Sequence, residues 1–195
     1  MSATRTLTLV DVALPRAGAL HNAALIVGAS VVTALAAQIA IPLPWTPVPI
    51  TGQTFAVLLS GAVLGWRRAF LAQALYLIEG AVGLPVFAGG AAGLLKLVGP
   101  SGGYLMAFPF AAALVGALCE RGWDRRFITM LAALLLGSCV IFAAGLAQLS
   151  RFVPGSTLLA QGLLPFLPGD IIKSSLAALA FPAAWRIAGR GNDSA

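Results

Sequence analysis

Charge is what this sequence has least of. Of its 195 residues, 9% are Asp, Glu, Lys or Arg, while 59% are hydrophobic. Soluble domains carry about 25% charged residues, so this chain is not built to face water on all sides. The charge that is present leans basic, with a net of +6. The arginines are scattered between apolar runs and make no continuous basic face, which excludes nucleic acid as a partner. Histidine occurs once, as His21 at the start of an apolar run, and reads as an interfacial residue. Of the two cysteines, Cys119 and Cys139, neither has a partner motif, so both read as small unpaired hydrophobes. No G-x-x-x-x-G-K-[ST] occurs, so the chain is not expected to hydrolyse ATP itself. There is no H-E-x-x-H and no G-x-S-x-G. An intramembrane aspartyl protease needs two carboxylates in contact, and Asp170 has only Glu79 as a possible partner within the apolar runs. An enzyme is therefore disfavoured, and no cofactor or metal is expected.

What the chain does have is long apolar runs. A helix needs about 20 apolar residues to span a bilayer, fewer where the bilayer thins. Candidate spans fall at 22–41, 51–66, 68–83, 102–118, 127–149 and 168–185. "IPLPWTPVP" separates the first two, because four prolines forbid one continuous helix. Pro109 is expected to kink the fourth. The expectation is an all-α membrane protein of six transmembrane helices. It forms a single domain over 1–195, with a tail at 1–20, a bundle at 22–188 and a second tail at 189–195. Arg5, Arg16, Arg67, Arg68, Arg121, Arg125, Arg126, Arg186 and Arg190 then share one side. The other side has Lys96 and Arg151, with Lys173 just inside the sixth span. The positive-inside rule places both termini in the cytoplasm. A signal peptide over residues 1–41 is the competing reading, and its cleavage would spoil this alternation.

The outer connections are long and rich in Gly and Pro: "IPLPWTPVPITGQ", "GLPVFAGGAAGLLKLVGPSGGY" and "SRFVPGSTLLAQGLLPFLPG". They carry almost no charge. Irregular backbone at membrane depth survives where it is buried in protein or lines a cavity, so these loops are expected to be re-entrant or to cap a cavity open to the outside. In "PFLPGDIIK", Pro168 suits the first position of a helix and Asp170 its first turn. Lys173, three residues on, shares a face with Asp170. The pair is either a helix cap beside a snorkelling lysine or a donor and an acceptor for a ligand. Gln53, Glu79, Lys96, Tyr104 and Gln148 reach the same outer level. Trp45, Phe55, Phe87 and Phe166 are candidate apolar walls. Ala29, Thr33 and Ala37, with Ala24 and Gly28 beside them, make a small-residue stripe on the first helix. Such a stripe serves close packing, either within the bundle or against a partner.

Four ordered stretches resemble the BioY family, the substrate-binding components of biotin transporters. They are "WTPVPITGQTFAVLLSGAVLG", "GLPVFAGG", "GPSGGYL" and "PFLPGDIIK". The resemblance covers about residues 20–188. Ser101 stands where the family pattern has threonine, which keeps a hydroxyl. The resemblance implies an S-component of an energy-coupling factor (ECF) transporter in a bacterial plasma membrane. It implies biotin as ligand, and as partners a transmembrane coupling protein and two cytoplasmic ABC-type ATPases. It implies that Asp170 accepts from the ureido ring of biotin and that Lys173 donates to a ligand oxygen. Gln53, Glu79, Tyr104, Trp45 and Phe87 are the other expected binding residues. Lys96 is the candidate for the ligand carboxylate on charge and side alone. The family's docking face is on the first helix. The alternative from the residues alone is a self-contained carrier or channel for a polar solute, but no polar stripe runs along several spans.

Overall fold

The computed structural model describes residues 7–13 and 18–192; Arg5 and Arg16 lie outside them. A backbone in lipid has no water to bond to, so apolar segments close their hydrogen bonds within helices. A short α1 (Leu9–Ala13) precedes α2 (Ala19–Gln38). A two-stranded antiparallel hairpin follows, β1 (Ala40–Ile41) with β2 (Ile50–Thr51). Then come α3 (Gln53–Leu64), α4 (Trp66–Ala81), α5 (Leu94–Val98) and α6 (Gly102–Cys119). The chain ends with α7 (Phe127–Leu149), α8 (Gly155–Gly162) and α9 (Leu167–Asn192). The six apolar segments expected from sequence correspond to α2, α3, α4, α6, α7 and α9.

The span count differs from the expectation. Four stretches among the described residues are long and apolar enough to cross a membrane: Ala19–Gln38, Gly102–Cys119, Phe127–Leu149 and Gly155–Ile187. The last joins α8 to most of α9. With 12 and 16 residues, α3 and α4 reach roughly 18 and 24 Å at about 1.5 Å per residue, short of a hydrocarbon core of about 30 Å. Gly65 cuts them apart at φ +78°, a left-handed conformation that glycine adopts without a steric cost. A Cβ there would run into the Glu120 side chain.

α6 is the central helix, with 72% of its span buried. It packs against α3, α4 and α7. Glycines make these approaches close: a Cβ on Gly61 would strike the Ala112 carbonyl, and one on Gly103 the Ala144 carbonyl. α2 is peripheral, with 11% of its span buried. Its inward side mixes small apolar residues with hydrogen-bonding ones. Gln73 of α4 donates to the hydroxyls of Thr33 on α2 and Ser60 on α3, and Ser30 of α2 donates to Glu79 of α4. This bears on the small-residue stripe. Thr33 and Ala37 are both 0% exposed and Ala29 is half-buried against the core, so these three pack inside the bundle and do not form a free docking face. Ala24 and Gly28 are exposed.

The two ends of the bundle are built differently. At one end, the Arg68 guanidinium pairs with Asp11 at 2.7 Å and donates to Asn22 at 2.9 Å, which ties α1 to α4 and α2. At that same end, Arg125 lies over the Trp185 ring, whose N–H donates to the buried Asp124. At the other end the connections fold on one another. Thr46 donates to the Gln161 carbonyl and Tyr104 to the Gly162 carbonyl. Gln148 donates to the carbonyls of Leu97 and Gly99.

Candidate functional site

The loop-bearing end encloses a partly covered cavity of about 180 Å³. Phe87, Tyr104, Phe108, Phe142 and Phe166 give it apolar walls. The hairpin supplies Pro47 to Thr51 along one rim. Gln53, Lys96, Asp170 and Lys173 bring the polar groups. A mostly apolar concavity with a few convergent polar groups is the ordinary form of a small-molecule site.

Local folding explains why these groups meet. A single turn at Leu163–Phe166 precedes α9, with the Phe166 and Leu167 amides donating back to the Leu163 carbonyl. Asp170 falls in the first turn of α9 and Lys173 one turn further on. Gln53 begins α3 one residue beyond β2, and its backbone N–H donates to the Thr51 hydroxyl at 3.3 Å. Phe87 is 2% exposed because Gly80 leaves room for it; a Cβ on Gly80 would occupy the ring's place. Tyr104 lines the cavity from the first turn of α6, held by its bond to the Gly162 carbonyl at 2.7 Å.

The charged pair is poised and incompletely satisfied. Asp170 is 6% exposed. The Ser138 hydroxyl of α7 lies beside its carboxylate without closing a well-formed hydrogen bond. The Lys173 ammonium donates to the Thr51 carbonyl at a long 3.4 Å. The two residues sense each other's charge, yet no direct ion pair between them occurs among the described residues. A buried carboxylate and a half-buried ammonium, each short of protein partners, carry a cost unless a ligand satisfies them.

Six of the eight residues expected at the site line the cavity: Gln53, Phe87, Lys96, Tyr104, Asp170 and Lys173. Glu79 and Trp45 do not. Glu79 is taken up by Ser30 of α2, and Trp45 points outward at the tip of the hairpin with 59% exposure. Sequence reasoning missed Phe108 and Phe142. They sit mid-helix in unbroken apolar runs, and nothing in composition separates them from core or lipid-facing residues. Thr51 was also missed, although it stands in the loop expected to cap the cavity.

The structure therefore defines a helical bundle with four stretches long and apolar enough to cross a membrane and a loop-covered cavity of small-molecule size at one end. The profile of the BioY family matches residues 5–190. A "Probable biotin transporter BioY" of Pyrococcus horikoshii is 41% identical over 147 residues, which is 75% of this chain and 85% of that protein. A "Biotin transporter BioY" of Rhizobium etli is 37% identical over 159 residues, 77% of this chain and 85% of that protein. A crystal structure of the S-component for biotin from an ECF-type ABC transporter superposes with a TM-score of 0.77 and 27% identity. That likeness covers 86% of this chain and 92% of the other. This chain belongs to the BioY family.

Proposed function

We propose that the protein captures biotin at the outer face of the membrane as the substrate-binding subunit of an ECF-type transporter. The carrying observation is the pair on one cavity wall, buried Asp170 and half-buried Lys173, with too few protein partners. Biotin offers what they need. Its ureido ring has N–H donors and a carbonyl acceptor, so Asp170 accepts a ureido N–H and Lys173 donates to an oxygen of the ligand. The aromatic walls take up the apolar part of the molecule. Lys96, exposed on α5 at the cavity, is the candidate partner for the ligand's carboxylate. Gln53, Tyr104 and Phe87 complete the site; Glu79 and Trp45 have no direct part in it.

The rest of the reading follows from this. The membrane domain spans about 22–188, and α2, α3, α4, α6, α7 and α9 cross as six helices, with α3 and α4 in a locally thinned bilayer. The arginine-bearing end faces the cytoplasm with both termini. A transmembrane coupling protein and two cytoplasmic ATPases supply the energy, because this sequence has no P-loop. The exposed side of α2, with Ala24 and Gly28, docks the coupling protein. The test is equilibrium binding of labelled biotin to the purified chain. Saturable binding of one biotin per chain, displaced by unlabelled biotin, is the expected result. Absence of saturable binding would sink the reading.

A further inference from the structure

Tyr76 does not line the cavity, yet it holds three residues that do. It is 0% exposed on α4. Its ring meets Phe87 edge-on at 5.6 Å and stacks on Phe108 at 6.4 Å. Its hydroxyl lies between the side chain of Gln53 and the carbonyl of Val86.

The direction of each bond in this network is fixed by its ends. The Val86 carbonyl only accepts, so the single phenol proton of Tyr76 goes there, at 3.0 Å. The Tyr76 oxygen is left to accept, and only the Nε2 half of Gln53 donates. Gln53 Oε1 is thereby turned toward Thr51, whose hydroxyl donates to it at 3.0 Å. At the far end Lys173, a donor only, gives to the Thr51 carbonyl. A flipped Gln53 amide would set oxygen against oxygen at Tyr76. Redirecting the phenol proton to relieve that would strip the Val86 carbonyl of this bond. A carbonyl oxygen has two acceptor positions, and Thr51 uses one on Gln53 Oε1.

We propose that Tyr76 is a positioning residue that sets ligand specificity: by fixing the Gln53 amide it makes the cavity present Oε1 as a second acceptor beside the Asp170 carboxylate. A cavity with two acceptors and the Lys173 donor selects a cyclic urea, in which two N–H groups flank one carbonyl. Asp170 takes one N–H, Gln53 takes the other, and Lys173 meets the oxygen. The proposal rests on the biotin reading and refines it.

Two cyclic carbamate analogues of biotin test it, each with a different ring N–H replaced by oxygen. Competition against labelled biotin is measured for the parent, Tyr76→Phe and Gln53→Leu, with thermal melting to confirm folding. The parent rejects both analogues by about tenfold or more, as expected for a buried acceptor left unpaired. Tyr76→Phe frees the amide to turn, weakens biotin by up to about tenfold, and rejects only one analogue, the one read by Asp170. Gln53→Leu deletes the acceptor outright and shows the same one-sided loss even where Tyr76→Phe does not fold. A merely structural role for Tyr76 lowers affinity for all three ligands alike. Two-sided rejection retained in both variants overturns the proposal while leaving the biotin reading in place. A parent that binds no biotin overturns the reading and the proposal together.

Discussion

At the scale of single residues, the proposed site predicts that the charged pair on α9 should matter more for affinity than for folding. Asp170→Asn keeps shape and removes the charge; Lys173→Met keeps the stem and removes the donor. A buried polar group left unpaired costs about 1–3 kcal/mol, more when charged, so each variant should bind biotin roughly tenfold more weakly or worse. Each single variant also strands the opposite charge and loses some stability. The double variant strands none, so it should purify well, melt near the parent and still bind poorly. Parent-like binding by the double variant would mark the pair as a helix cap beside a snorkelling lysine. Asp170 and Lys173 were legible in sequence because charge inside an apolar run has few innocent explanations. Tyr76 was not, since a tyrosine within an apolar helix reads equally well as core. Glu79 showed the limit of the method: its level along the helix was readable, but the hydrogen bond from Ser30 that turns it toward α2 was not.

At the scale of elements, the inward and outward sides of α2 predict opposite phenotypes. Ala37 is 0% exposed, so Ala37→Leu overpacks the bundle and should cost about 1–3 kcal/mol of stability, read as a lower melting temperature in detergent. Gly28 has nothing within 4 Å of where a Cβ would sit. Gly28→Leu should leave melting and biotin binding unchanged and reduce co-purification with the coupling protein. Unchanged co-purification would move the docking face elsewhere. At the other end of the chain's first segment, α1 carries a pH signature. Burial raises the Asp11 carboxyl pKa, but the Thr8 hydrogen bonds and the Arg68 charge outweigh it, and the net shift is downward. A lowered folded pKa means stability present above the ordinary value of 3.8 and lost as pH falls through the folded value. The stability difference between parent and Asp11→Asn should therefore be full at neutral pH and shrink in acid, as followed by thermal melts across pH. Helix positions were the most legible part of the fold: the expected 127–149 is α7 to the residue. The caps and short helices were not. α1, α5, α8 and the hairpin are held by contacts between distant segments, such as Thr46 with Gln161, and no local periodicity announces them.

At the scale of the whole molecule, the protein has a cavity and its sequence contains no P-loop motif. Reconstituted alone in liposomes with ATP on the cytoplasmic side, it should bind biotin and fail to accumulate it uphill. Uphill accumulation by the chain alone would overturn the dependence on partners. The sequence suggested an orientation through its arginines and a cavity through its uncharged Gly- and Pro-rich loops, while the cavity's full lining needed the loops to be seen folded on one another. The order of those parts along the chain has a consequence for biogenesis. The Lys173 ammonium reaches back 122 positions to the Thr51 carbonyl, and both charged residues sit on α9, which is made after every other described helix. The nascent protein has its hairpin, Gln53 and every aromatic wall residue but Phe166 well before it owns a single charged contact from α9. If the proposed pair carries binding, vitamin in the medium should have no hold on a chain still being inserted and should stabilise only the finished product by mass action. Assembly in the membrane must run on lipid and helix packing alone, so a variant stalled before α9 docks should be just as short-lived in biotin-rich medium as in biotin-free medium.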